Sequence, residues 1–158
     1  FHALYERYSR DVYRFALYLS GNPSQAEDVA AETFARAWTS VDAVRTETVK
    51  AYLFSIARNL VSEGLRRDRN RPIPEGELSP APDPGRHAAV RMELDRVLRA
   101  LQSLPESDRA ALLMRAQDGM PHEEIAAVLA LSVAAVRVKI HRARLALGTQ
   151  ENHREREA

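Results

Sequence analysis

The sequence predicts an all-α protein: two small helical domains joined by a Pro-rich linker, the second containing a helix-turn-helix. Three observations carry that expectation. Apolar residues recur at three- and four-residue steps through both halves, the period of an amphipathic helix. No segment sustains the two-residue alternation with β-branched enrichment that marks a strand. Five of the eight prolines (Pro72, Pro74, Pro80, Pro82 and Pro84) crowd one stretch between the periodic halves.

The first half reads as three helices. Phe1, Leu4, Tyr5, Tyr8, Val12, Phe15 and Leu19 form one face of the first, and Gly21 is placed to end it. Asn22 can cap the second, with Pro23 at its first position and Gln25 at its third. Ala26, Val29, Ala30, Thr33, Phe34, Ala37 and Trp38 make its apolar stripe, with Trp38 expected in the core. A polar stretch at residues 39–48 precedes a third helix over about residues 49–67, buried through Val49, Leu53, Ile56, Ala57 and Leu60. Its end is basic, with Arg66, Arg67, Arg69 and Arg71.

Residues 71–85 show no apolar period, and each proline there fixes φ and removes a donor. This reads as a linker, the alternative being a long surface loop within one domain. The expected division is residues 1–71, a linker at 72–87, and residues 88–150.

In the second half Val90, Leu94, Val97, Leu98 and Leu101 form a stripe that stops before Pro105. A helix over about residues 106–118 stops at Gly119. Pro121 opens a short helix whose Glu123 and Glu124 suit its dipole and whose Ile125, Ala126 and Leu129 turn inward. After a tight connection at residues 130–132, Ser132 can cap a last helix closed by Gly148, and the polar tail from Thr149 is expected to fray.

Composition bounds the chemistry. There is no Cys, which excludes disulfides, thiol catalysis and Cys-based zinc sites. The five His never pair at metal-binding spacing, and no nucleophile motif or phosphate-cradling glycine loop occurs. No catalytic residue, metal site or cofactor is expected. No run of about 18 apolar residues is present and no signal peptide is recognisable; no membrane insertion and a cytoplasmic location are the expectations.

The 158 residues carry 23 Lys+Arg against 22 Asp+Glu, a net +1 that argues for no particular partner. Residues 1–71 hold 11 basic against 9 acidic groups and residues 88–158 hold 11 against 10, so the halves are bland as well. Helix faces are not. Residues 132–146 hold four cations and no anion.

Residues 121–144 have the spacing of a helix-turn-helix, whose second helix enters the DNA major groove. Burying Val136, Ile140 and Ala143 turns Arg137, Val138, His141 and Arg142 outward, with Lys139 and Arg144 at the edges, in reach of phosphates. A solvated basic helix is the plainer alternative. A second basic surface holds Arg58, Asn59, Arg66 and Arg67 near Tyr52 and Phe54, a combination that suits single-stranded bases, although Phe54 also fits a core position. Glu27, Asp28 and Glu32 form an acidic face that is either dipole compensation or a docking surface.

Four motifs in order carry a family resemblance. Residues 26–38 read AEDVAAETFARAW, similar to an AEDxxQETFxxAW helix; residues 52–59 read YLFSIARN, similar to WLxxIARN. Leu104-Pro105 opens a stretch like LPxxxRxxLxLR, and Glu123-Glu124-Ile125-Ala126 with Ser132-Val133-Ala134-Ala135-Val136-Arg137 resembles EEIA…SxxTVKxR. The chain thus resembles an extracytoplasmic-function sigma factor of bacterial RNA polymerase, in the sigma-70 family, over nearly its whole length.

The resemblance implies a transcription initiation subunit, not an enzyme, directing polymerase to a specific, stress-response regulon. By that resemblance Arg58, Asn59, Arg66 and Arg67 face the −10 element, and a loop near residues 41–49 captures a flipped base. Glu27, Asp28 and Glu32 grip the clamp helices of the largest subunit of core RNA polymerase, and the second domain meets the flap. Arg137, Val138, His141, Arg142, Lys139 and Arg144 meet the −35 element of promoter DNA. An anti-sigma factor is a further implied partner. Ala31, Ala135 and Val138 depart from the pattern, as does Gly64 inside a helix. Two other readings remain open from the residues: a stand-alone helix-turn-helix regulator, and a helical interaction protein.

Overall fold

A computed structural model describes residues 2–40, 48–69 and 86–157. They form α1 (His2–Ser20), α2 (Pro23–Thr39), α3 (Val49–Arg69), α4 (Arg86–Gln102), α5 (Glu106–Ala116), α6 (His122–Leu129) and α7 (Val133–Glu157), with no strand among them. Most of the loop expected to capture a base and most of the Pro-rich segment lie outside the described residues. Arg86 and His87, placed in the linker from sequence, begin α4.

Local chemistry sets the helix ends as the sequence predicts. The Gly21 N–H donates to Leu17 O at 2.8 Å with φ +71°, a left-handed turn that suits glycine. Asn22 Oδ1 then accepts the Gln25 N–H at 3.1 Å, and Pro23 follows it at the helix start. Ser132 Oγ accepts the Ala135 N–H at 3.1 Å and caps α7.

α1, α2 and α3 pack around Val12, Phe15, Leu19, Phe34, Leu53, Phe54 and Val61, all buried. Phe15 and Phe54 stack with ring centroids 4.5 Å apart at 8°. Burial of each ring contributes about 1.5–3 kcal/mol, so Phe54 is a core residue and not an exposed platform for bases. At Gly64 a Cβ would meet Gln25 Nε2, which donates to Val61 O at 3.4 Å and ties the start of α2 to α3.

In the second half Met114, Ile125, Val136, Ile140 and Ala143 are buried among α5, α6 and α7. The turn of the helix-turn-helix is made by Ala130 in the left-handed region at φ 56°, with the Leu131 N–H reaching back to Ala126 O at 3.0 Å. This arrangement sets the angle at which α7 leaves α6.

The two halves pack on each other, α1 against α4 and α5, and α3 against α6. Polar groups hold the seam. Arg109, buried, donates from Nε to Leu101 O at 2.9 Å and from Nη2 to Leu104 O at 3.0 Å, and its Nη1 donates across the seam to Leu19 O. Gln102 Nε2 donates to Tyr18 O at 3.1 Å. The fully enclosed Asp118 carboxylate pairs with Lys50 at 3.1 Å and Arg14 at 3.5 Å, and Asp11 pairs with both of those cations at 3.3 Å.

Four expectations need correction. Val49, expected in the buried stripe of α3, is 40% exposed. Trp38 is 61% exposed. Ala26, Val29, Thr33 and Ala37 centre the buried face of α2, and Trp38 projects about 100° round the helix from Ala37. α7 does not stop at Gly148 but runs to Glu157, since a glycine costs only about 1 kcal/mol inside a helix. In α4 only Leu98 and Leu101 of the apolar stripe are fully buried; residues 88–93 are exposed on every side, and Val90 and Val97 face solvent.

Candidate nucleic-acid interface

α7 positions the basic face. Val136, Ile140 and Ala143 anchor one side of the helix in the core, so the register of the other side is fixed. Arg137, Val138, His141, Arg142 and Arg144 are all exposed there. Arg144 follows Arg137 by seven residues, two helical turns, so the two line up along one edge of the exposed face. Lys139 turns away from the outward face: its ammonium donates to Ser107 Oγ at 3.0 Å and to Asp108 Oδ1 at 3.4 Å. Arg142, on the same flank, donates to Asp108 Oδ1 at 3.2 Å while its side chain stays 58% exposed.

The second basic surface is on α3. The Arg58 guanidinium binds Glu106 through both arms, Nε to Oε1 at 3.0 Å and Nη2 to Oε2 at 2.9 Å. Asn59 beside it is exposed. Arg66 and Arg67 lie in the last two turns of α3. Tyr52 is half-buried, and its hydroxyl donates to Ser40 O at 3.5 Å.

The acidic face of α2 is open. Glu27, Asp28 and Glu32 are exposed, with Ala31 and Ala35 between them and Trp38 at the far end. Glu32 accepts from Arg36 Nε at 3.1 Å, one turn on. Glu27, Ala31 and Trp38 recur at four- and seven-residue steps, so the indole extends the same surface. Exposed Trp is enriched at protein–protein hot spots. The stripe of α2 gave no hint of this, because a Trp one position from the buried arc reads as core.

Sequence reasoning also missed the seam. Asp118, Lys50 and Arg14 are ordinary charged residues in the sequence, and only the packing of the halves brings them together. Burial pushes the Asp118 carboxyl above its usual range, with Lys50 acting against that. For Lys50, burial pulls its ammonium down, but Asp118 and Asp11 outweigh it and leave it above its ordinary value. Among the described residues no group of His, Asp or Glu is arranged to hold a metal ion, and no helix is long and apolar enough to cross a membrane.

Chemically, an exposed arginine-rich helix held by a tight turn can read base edges and phosphates, while an open acidic helix can dock a basic partner. The comparisons with known proteins agree in both halves. Residues 4–71 match the family model "Sigma-70 region 2" and residues 94–147 match "Sigma-70, region 4". The chain is 32% identical over 150 residues to the ECF RNA polymerase sigma factor SigL of Mycobacterium tuberculosis, covering 92% of this chain and 85% of that protein. It is 36% identical over 148 residues to SigE of Mycolicibacterium smegmatis, covering 89% of this chain and 57% of SigE's length. Among solved structures, CnrH in complex with the cytosolic domain of CnrY superposes with a TM-score of 0.75 at 30% identity, over 96% of this chain and 87% of that one. The sigma factor RpoE of Bartonella quintana, bound to the anti-sigma factor NepR, has the same fold at a TM-score of 0.72 and 24% identity, over 90% of this chain and 91% of that one. With both regions matched in order and a relative covered almost end to end, the chain belongs to the sigma-70 family, among the extracytoplasmic-function RNA polymerase sigma factors.

Proposed function

We propose that this chain binds core RNA polymerase, directs it to promoters carrying particular −10 and −35 elements, and so initiates transcription there. The observation that carries the reading is the pair of oppositely charged surfaces on one fold: the exposed arginine face of α7 and the exposed acidic face of α2. Arg137, Val138, His141, Arg142 and Arg144 would meet the −35 element, with Lys139 at the flank. Arg58 and Asn59, with Arg66 and Arg67, would meet the −10 element. Glu27, Asp28 and Glu32 would grip the clamp helices, and Trp38 would add apolar contact beside them.

An anti-sigma factor is a proposed partner as well, since CnrH and the Bartonella RpoE are described in complexes with CnrY and with the anti-sigma factor NepR. A stand-alone DNA-binding regulator does not account for the acidic face. The test is promoter selection: core polymerase, with and without the chain, transcribes a genomic fragment library and the transcript starts are sequenced. New starts that share −10 and −35 sequences support the proposal. Starts that are the same with and without the chain refute it.

A further inference from the structure

We propose that the first turn of α5 is a specificity-determining element of DNA binding, in which Glu106 and Asp108 occupy cations of both DNA-facing surfaces and hold down sequence-blind binding to phosphates. The inference rests on the reading of Arg58, Lys139 and Arg142 as DNA-facing residues.

The geometry is direct. Glu106 takes both arms of Arg58, at 3.0 and 2.9 Å, the fork that an arginine also offers to a phosphate. Asp108 Oδ1 takes Lys139 at 3.4 Å and Arg142 at 3.2 Å. The two carboxylates are two residues apart and so project about 200° apart round α5, one toward α3 and the other toward α7. A single helical turn therefore reaches both surfaces. The Asp108 side chain is only 3% exposed, and those of Lys139 and Arg58 are 20% and 22% exposed, so these pairs are less screened by water than a surface pair.

Any phosphate that engages these cations must displace a carboxylate and then sit near it, which is an unfavourable like-charge contact. Specificity is a difference of affinities, and a repulsive element lowers the wrong binding as effectively as a new contact raises the right one. Among the described residues no carboxylate lies within ion-pair distance of Arg137 or Arg144. The device thus spares one flank of the basic face, with Arg137 and Arg144, and restrains the other. Dipole compensation explains an acid in the first turn of a helix, but not why each of these two carboxylates ends on an arginine or lysine from another element.

The test is binding of the free full chain to a random-sequence duplex and to a random single strand, by fluorescence anisotropy across a salt series. Asp108→Asn should tighten duplex binding about two- to fivefold and steepen the salt dependence by about one to two released counterions. Glu106→Gln should tighten single-strand binding by a similar factor. Unchanged affinity and slope in both variants overturn the inference. Arg142→Ala and Arg58→Ala separate it from the reading beneath it. If they weaken binding while the carboxamide variants change nothing, only the restraint by α5 fails. If they bind like the wild type, those residues are not DNA-facing and both readings fail. Thermal melting checks that Asp108→Asn folds, and if it does not, Glu106→Gln decides alone.

Discussion

Single residues decide whether the seam between the halves holds. Arg109 is the clearest case, since its guanidinium serves three backbone carbonyls at the ends of α1 and α4 and in the turn before α5. Truncation removes the Arg109 donor from the Leu19 and Leu104 carbonyls, whereas Leu101 O keeps the Leu104 N–H at 3.1 Å. Arg109→Ala should therefore lower stability by about 3 kcal/mol, measured by urea denaturation, and a loss under 1 kcal/mol would contradict the assignment. In the sequence Arg109 stands at the Arg of the LPxxxRxxLxLR-like stretch, but the motif alone does not tell a buried strut from a solvated cation. Lys50 gives a pH dependence. Its folded value is raised, so its contribution is complete below the ordinary lysine value and is lost as pH rises through the folded one. The gap in melting temperature between wild type and Lys50→Met should narrow above pH about 10.4. A constant gap on further titration would show that the Lys50 charge does not act through Asp118 and Asp11.

At the scale of elements, the helix-turn-helix depends on one turn. Ala130 holds a left-handed conformation that costs a residue with a Cβ about 1–2 kcal/mol and costs glycine almost nothing. Ala130→Gly should stabilise the chain by about 1 kcal/mol, part of the relief being offset by glycine's freedom in the unfolded state. A thermal melt reads this directly, and a destabilised variant would mean that the turn is held by contacts the Cβ makes. The caps at Asn22 and Ser132 were legible because capping is a matter of residue type at a fixed spacing. The inward face of α7 was legible for the same reason. The far ends of elements were not. Gly148 suggests a stop, yet with nothing within 4 Å of a Cβ there and a polar sequence beyond, the helix continues. The stripe of α4 suggests full burial, yet among the described residues nothing buries its first turns.

On the scale of the whole molecule, the net charge of +1 conceals a division of labour among surfaces. The acidic face of α2 and the arginine face of α7 lie on different helices, and a third set of charges closes the seam. Periodicity finds the cores of the two halves but not their association, because the seam is made by residues that an apolar pattern counts as surface: Arg58 with Glu106, Lys50 and Arg14 with Asp118, Arg109 with a backbone carbonyl. The same blindness hid the turn of α5 that reaches both basic surfaces. The central claim is that this chain gives polymerase its promoter choice through the basic face of α7. Run-off transcription with core polymerase, on a selected promoter and on the same promoter with its −35 element scrambled, tests this most directly. Wild type should initiate preferentially on the intact promoter, and Arg137→Ala should lose that preference while still supporting initiation. Equal transcription of the two templates by the wild type, or an Arg137→Ala variant that discriminates between them as well as the wild type does, would contradict the account.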